Sequence, residues 1–132
     1  MITTTSSTTP YQVLFSDGIH NCTSDTTADK GGNNAGFRPH DLLEAAVGSC
    51  INMWLQMYAN QHHLPLQTVQ TKVTINRMNP EKVIFEYEID LVGDLTPEQY
   101  NKLLKVASTC PVGRTLSKEI CFKNLSNENG GY

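Results

Sequence analysis

The sequence predicts an α+β fold in which an antiparallel sheet covers a long, buried central helix. Three observations carry this. Strand-like segments are joined by hairpin turns and not by regular crossovers. The run after Pro39 is apolar over most of its helical surface. A second, amphipathic helix with its own capping signals follows the strands. At 132 residues the chain has the length of one compact domain. It is read as a single domain over residues 1–132, with flexible ends at 1–9 and 125–132.

The Ser/Thr-rich start is expected to fray. In "YQVLFSDGIHNCTSD", Tyr11, Val13 and Phe15 alternate with Gln12 and Ser16, and Asp17-Gly18 supplies the turn of a β-hairpin. "TTADKGGNNAGFRP" has no periodicity that could bury a face and reads as a mobile loop. Pro39 opens a helix to about Asn60, with Leu43, Val47, Cys50, Trp54 and Met57 as its apolar stripe. Glu44, Asn52 and Gln56 form the polar seam, with Gly48 between them where another part of the backbone must come close.

After "HHLPL", Val69, Thr71, Val73 and Ile75 share one strand face. Across "RMNPEK", Val83, Phe85, Tyr87, Ile89 and Leu91 do the same, opposite Glu86, Glu88 and Asp90. In "LTPEQYNKLLKVAS", Thr96 is the N-cap, Pro97 the first helical residue and Gln99 the capping-box partner. Tyr100, Leu103, Leu104 and Ala107 form its buried face. "TCPVGRTLS" holds a short helix, "EICFKNL" reads as a last strand, and "SNENGGY" as a loose tail. A central helix apolar on most sides needs more cover than one small sheet provides, so a partner subunit is expected as a second lid and the protein as a homodimer.

A net charge of −3 without any long basic run argues against a nucleic-acid surface or a membrane patch. The first residues carry neither a basic nor an apolar targeting region, which predicts a cytoplasmic protein in a reducing compartment. Its cysteines, Cys22, Cys50, Cys110 and Cys121, are then thiols and not a stapling framework. Neither C-x-x-C nor H-x(3–5)-H occurs, so no metal site and no cofactor is expected. "DKGGNN" lacks the flanking strand and helix that a phosphate cradle needs. His62 and His63 fall at a helix end, where they can meet the last carbonyls. Cys22 and Cys121 are read as structural.

Cys110 precedes Pro111 and therefore falls at a helix N-cap, where unsatisfied N–H groups favour a thiolate. A helix terminus contributes about 0.3 to 1 kcal/mol and at most roughly 2, or about one pKa unit. A strongly acidic thiol therefore needs a cation as well, and Arg114, one turn on, is the nearest. On residues alone Cys110 ranks as the more acidic thiol, while Cys50, mid-helix and among apolar side chains, is inert unless a cation joins it.

Two motifs then carry a resemblance. "RPHDLLEAAVGSCINMWLQMYA" resembles the "P-x-[DE]-L-L-x-A-A-x-G-x-C" helix of the OsmC/Ohr family, the osmotically inducible and organic hydroperoxide resistance proteins. "ASTCPVGRTLS" is similar to that family's second cysteine motif, "CPV-x-R-T-L". The order of elements between them also agrees, so the likeness runs from about Phe37 to Leu116. It implies an intertwined α+β homodimer with two sites at the subunit interface that reduce organic hydroperoxides. Cys50 would attack the distal peroxide oxygen, and Cys110 would resolve the sulfenic acid as a disulfide. A dithiol, in the family typically lipoyl-bearing, would restore both thiols. The apolar run around Cys50 then becomes a pocket wall suited to bulky alkyl peroxides.

The chain departs from the family pattern at its charged residues. His40 stands where the family has a glutamate that steers an arginine, so Asp41 or Glu44 would take that part. For the arginine, the N-terminal hairpin and loop offer Lys30 and Arg38, and the second motif offers Arg114. A lysine cannot hold two planar partners as a guanidinium does. These departures bring the sequence closer to the OsmC-like branch than to the dedicated hydroperoxide reductases. A non-enzymatic member of the same fold, a redox-sensing or small-hydrophobic-ligand-binding dimer, is the alternative the sequence leaves open.

Overall fold

The computed structural model describes residues 1–127. Its first unit is an antiparallel sheet of β1 (Thr3–Ser6), β2 (Val13–Ser16) and β3 (Asn21–Ser24). The expected hairpin joins β2 to β3, with Ser16 opposite Asn21 and Gly18 at φ 98° in the turn. β1 is the first correction: Thr3 to Ser6 pair with Ser16 to Val13, so the segment expected to fray is a strand, held by backbone pairing and not by burial.

The polar stretch before the long helix is the second. It is organised by Asp25, which is 2% exposed and whose carboxylate accepts the N–H groups of Thr26 at 2.7 Å, Asn33 at 3.2 Å and Ala35 at 3.0 Å. A parallel bridge between Ser24 and Phe37, with Ser24 Oγ donating to the Phe37 carbonyl at 2.8 Å, ties the loop's ends together. A Cβ at Gly32 or Gly36 would lie 2.2 Å from a neighbouring carbonyl oxygen, so those positions exclude any side chain.

α1 spans Pro39–Gln61. Its buried line is Val47, Ile51, Leu55 and Ala59, a strict i, i+4 row, with Cys50, Trp54 and Tyr58 half-buried along one side. The expected stripe was thus rotated: Leu43 and Met57 are exposed, as is Met53. So many apolar residues surround this helix that composition does not select the face; the positions of the elements packed against it do. β4 (Leu66–Asn76) and β5 (Ile84–Gly93) form the second antiparallel sheet. Val69 faces Leu91, Thr71 faces Ile89, Val73 faces Tyr87 and Ile75 faces Phe85, as the alternation predicts, while Val83 lies outside the strand and exposed. Gly48 meets this sheet, since a Cβ there would stand 3.2 Å from Val73 Cγ2; a side chain, not a backbone, approaches it.

α2 (Pro97–Ala107) begins with the expected box, Thr96 Oγ1 accepting from the Gln99 N–H and Gln99 Oε1 from the Thr96 N–H. Its buried residues are Leu103, Val106 and Ala107; Val106 takes the place expected of Leu104. α3 (Pro111–Leu116) follows with Cys110 as its N-cap. The last expected strand does not form: residues 119–124 have no regular structure, Phe122 is 97% exposed, and no strand among the described residues pairs with them. Leu125–Asn127 form a 3₁₀ turn, and the rest of the expected tail, 128–132, lies outside the described residues. The architecture is α+β with antiparallel sheets, and among the described residues no helix is long and apolar enough to cross a membrane.

Candidate active site

Cys50 and Cys110 come together where α1 meets α3. The first turn of α3 serves both sulfurs: the Val112 N–H donates to Cys50 Sγ at 3.4 Å, and the Gly113 N–H donates to Cys110 Sγ at 3.3 Å. Cys110 reaches this place as the N-cap of α3, extended at φ −61°, ψ 143° ahead of Pro111. Cys50 reaches it from the flank of α1 beside the buried row. Cys50 is close enough to raise the Cys110 thiol, and all four cysteines of the chain are free.

Cys110 departs from the sequence expectation. Cys110 is 3% exposed, and burial pushes its thiol up from the ordinary value. The Gly113 N–H opposes this, the nearby Cys50 pushes further up, and Arg114 draws the thiol down. The N-cap is present as expected, but burial outweighs it. A protonated Cys110 suits a thiol that acts second.

The junction is tied a turn further along. The Trp54 indole N–H donates to Thr109 Oγ1 at 3.0 Å, and that hydroxyl donates to the Val106 carbonyl at 2.7 Å. The Arg114 guanidinium carbon lies 5.9 Å from the centre of the Trp54 ring. The sequence reads Trp54 as core or, with an active Cys50, as a wall of its pocket, and gives Thr109 no part; the usable signal is that Trp54 follows Cys50, and Arg114 follows Cys110, by one helical turn.

The other expected site residues lie elsewhere. Arg38 caps α1 and grips Asp41, Nη2 to Oδ1 at 2.7 Å and Nε to Oδ2 at 3.1 Å, and the Arg38 N–H adds a bond to the same carboxylate at 3.0 Å. The ion pair lowers the Asp41 pKa and raises that of Arg38. At 1.5 Å per residue Arg38 is about 18 Å along α1 from Cys50. Glu44 is occupied too, accepting the Ile75 N–H at 2.9 Å, and His40 pairs through Nε2 with Arg77 at 3.2 Å.

Beside Cys110 opens a groove of about 1130 Å³ walled by Val47, Ile51, Ile75, Phe85 and Leu116, with Arg77 among its polar residues. On another flank of α1, Asp41, Glu44, Ser49, Asn52 and Thr71 line a more polar recess of about 760 Å³. Among the described residues no group of three or more His, Cys, Asp or Glu side chains is placed to hold a metal ion.

The family profile of the OsmC-like protein matches residues 31–123, which include both cysteine motifs. No curated protein matches the chain. Among solved structures, an OsmC-like protein from Mycoplasma pneumoniae has a TM-score of 0.74 at 16% identity, covering 88% of this chain and 85% of that one. The organic hydroperoxide resistance protein OhrB of Bacillus subtilis has a TM-score of 0.64 at 16% identity, with 90% of each chain covered. An organic hydroperoxide resistance protein from Elizabethkingia anophelis, with thiocyanate bound, has a TM-score of 0.65 at 20% identity, covering 90% of this chain and 88% of that one.

Proposed function

The chain belongs to the OsmC-like protein family, and from that premise we propose that it is a thiol-dependent peroxidase that reduces organic hydroperoxides. The observation that carries this reading is the meeting of Cys50 and Cys110, sixty residues apart in sequence, over the first turn of α3. Cys50, the less buried thiol, attacks as thiolate on the distal peroxide oxygen. The O–O bond breaks, the alkoxide takes a proton and leaves as the alcohol, and Cys50 becomes a sulfenic acid. Cys110, protonated and adjacent, then condenses with it; the S–O bond breaks, water leaves and the disulfide forms. An external dithiol, lipoyl-bearing in the family, returns both sulfurs to thiols and is itself oxidised to a disulfide.

The apolar groove beside Cys110 favours a bulky alkyl substituent over hydrogen peroxide. Arg38 and Asp41 are bonded to each other and distant from the thiols of their own chain, so they serve the reaction only across an interface between two copies. Such a homodimer is part of the proposal, as is a cytoplasmic location.

Purified protein should consume cumene hydroperoxide with a dithiol as reductant. Cys50→Ser should abolish consumption, and Cys110→Ser should leave one turnover followed by sulfinic acid at Cys50, read by mass spectrometry. Consumption no faster than that of free thiol would overturn the proposal.

A further inference from the structure

The thiol pair has a second pair built alongside it. Trp54 stands one turn beyond Cys50 on α1, and Arg114 one turn beyond Cys110 on α3, so each shares a helix face with a thiol. The two meet as the thiols do: the guanidinium carbon is 5.9 Å from the indole centre, within the range of a cation–π contact. The ring's other edge is fixed, its N–H bound to Thr109 Oγ1 at 3.0 Å and that hydroxyl to the Val106 carbonyl.

Resting on the peroxidase reading, we propose that Arg114, seated on the face of Trp54, is the cation that favours the Cys50 thiolate, and that Trp54 is the positioning residue that holds it beside the thiols. The alternatives are spent or distant. Arg38 divides its guanidinium between two oxygens of Asp41 about 18 Å away along α1. Arg77 is engaged with His40. Arg114 has no carboxylate within ion-pair distance among the described residues, so its charge is not offset there. Its field acts on the neighbouring Cys110 in the direction of ionisation. An indole face orients a guanidinium without neutralising it, which a carboxylate would do.

Labelling of each cysteine by iodoacetamide, resolved by peptide mass spectrometry in the full chain, tests this without peroxide. Arg114 is exposed, so Arg114→Met keeps the stem and removes the charge without touching the core. It should slow Cys50 labelling at pH 7 about tenfold, the equivalent of about one pKa unit, and the difference should vanish above pH 10. Trp54→Phe, which keeps a ring, should label nearly as wild type. Trp54→Leu should behave as Arg114→Met, and the double variant should be no slower than Arg114→Met alone.

Unchanged Cys50 labelling in folded Arg114→Met overturns the proposal, and so does a double variant slowed by the product of the single effects. If Arg114→Met slows labelling while the wild type consumes no hydroperoxide, the cation assignment stands and the peroxidase reading falls. If the wild type turns over and Arg114→Met labels normally, the reverse holds.

Discussion

At the scale of single residues, Cys110 carries a pH dependence whose sign follows from its burial. Its folded pKa is raised above the ordinary thiol value, so the folded chain holds the proton over a range where the unfolded chain has lost it. The stability this contributes is complete below the unfolded thiol value, near pH 9, and is lost as pH rises through the folded one. Denaturant midpoints should therefore fall as pH rises above about 9, and Cys110→Ala should flatten that slope while lowering the whole curve. An unchanged slope in Cys110→Ala would assign the alkaline loss to another group. The N-cap position of Cys110 was legible because proline after a cysteine announces a helix start. Its 3% exposure was not, because α1, the helix that packs against α3 at that point, is far away in sequence. The same blindness made Cys110 look like an acidified thiol, where burial raises it instead. The pairing of Cys50 with Cys110 itself came from resemblance to a family, since no local pattern says which helix flank faces α3.

Elements show where local chemistry suffices and where packing decides. The loop between β3 and α1 was read as mobile because its glycines and asparagines bury no face, yet one carboxylate, Asp25, gathers three backbone N–H groups and holds it. The Asp25 pKa is lowered, chiefly by the Ala35 N–H, so this support is present above the ordinary carboxylate pKa and is lost as pH falls through the folded value. Asp25→Asn keeps the shape and removes the charge, so at pH 7 the protection of the Asn33 and Ala35 amides against exchange should fall relative to their intrinsic rates, as wild-type protection should when acid protonates Asp25. Exchange that stays slow in Asp25→Asn would make the glycine packing the loop's true support. Gly48 is the converse case. A helix-interior glycine costs about 1 kcal/mol against alanine, and here a Cβ would press on Val73 at 3.2 Å. Gly48→Ala alone should change stability little, whereas in a Val73→Ala background it should gain about 1 kcal/mol. Equal effects in both backgrounds would remove Val73 as the reason for the glycine. Strand faces, both capped helices and the β2–β3 turn were legible because alternation and capping are local rules. The strand expected at "EICFKNL" failed because a strand exists only with a neighbour, and the described residues supply none.

Over the whole molecule, exposed apolar surface gathers on the β1–β3 sheet and on one side of α1. The β1–β3 sheet packs chiefly on itself, with Leu14 on its middle strand exposed, and a sheet of this size is stable only when an apolar face is covered. The open side of α1 presents Ala45, Ala46, Met53 and Met57, the methionines 53% and 61% exposed, next to the flank that carries Cys50. Monomers seldom leave such a contiguous apolar strip in water. A second copy laid against α1 would cover the strip, and it would give residues 119–124 a strand to pair with. Ala46→Glu separates the cases. On a truly solvent-facing helix surface the change should alter stability by no more than about 0.5 kcal/mol. Buried between two copies, the same carboxylate meets its symmetry mate in an apolar contact and must be desolvated at a cost of several kcal/mol. Sedimentation should then show the wild type as a dimer and Ala46→Glu as a monomer, with a wild-type melting temperature that rises with protein concentration. A wild type that sediments as a monomer, together with a harmless Ala46→Glu, would mean that the exposed strip answers to something other than a second copy, and Arg38 and Asp41 would lose their only route to the thiols.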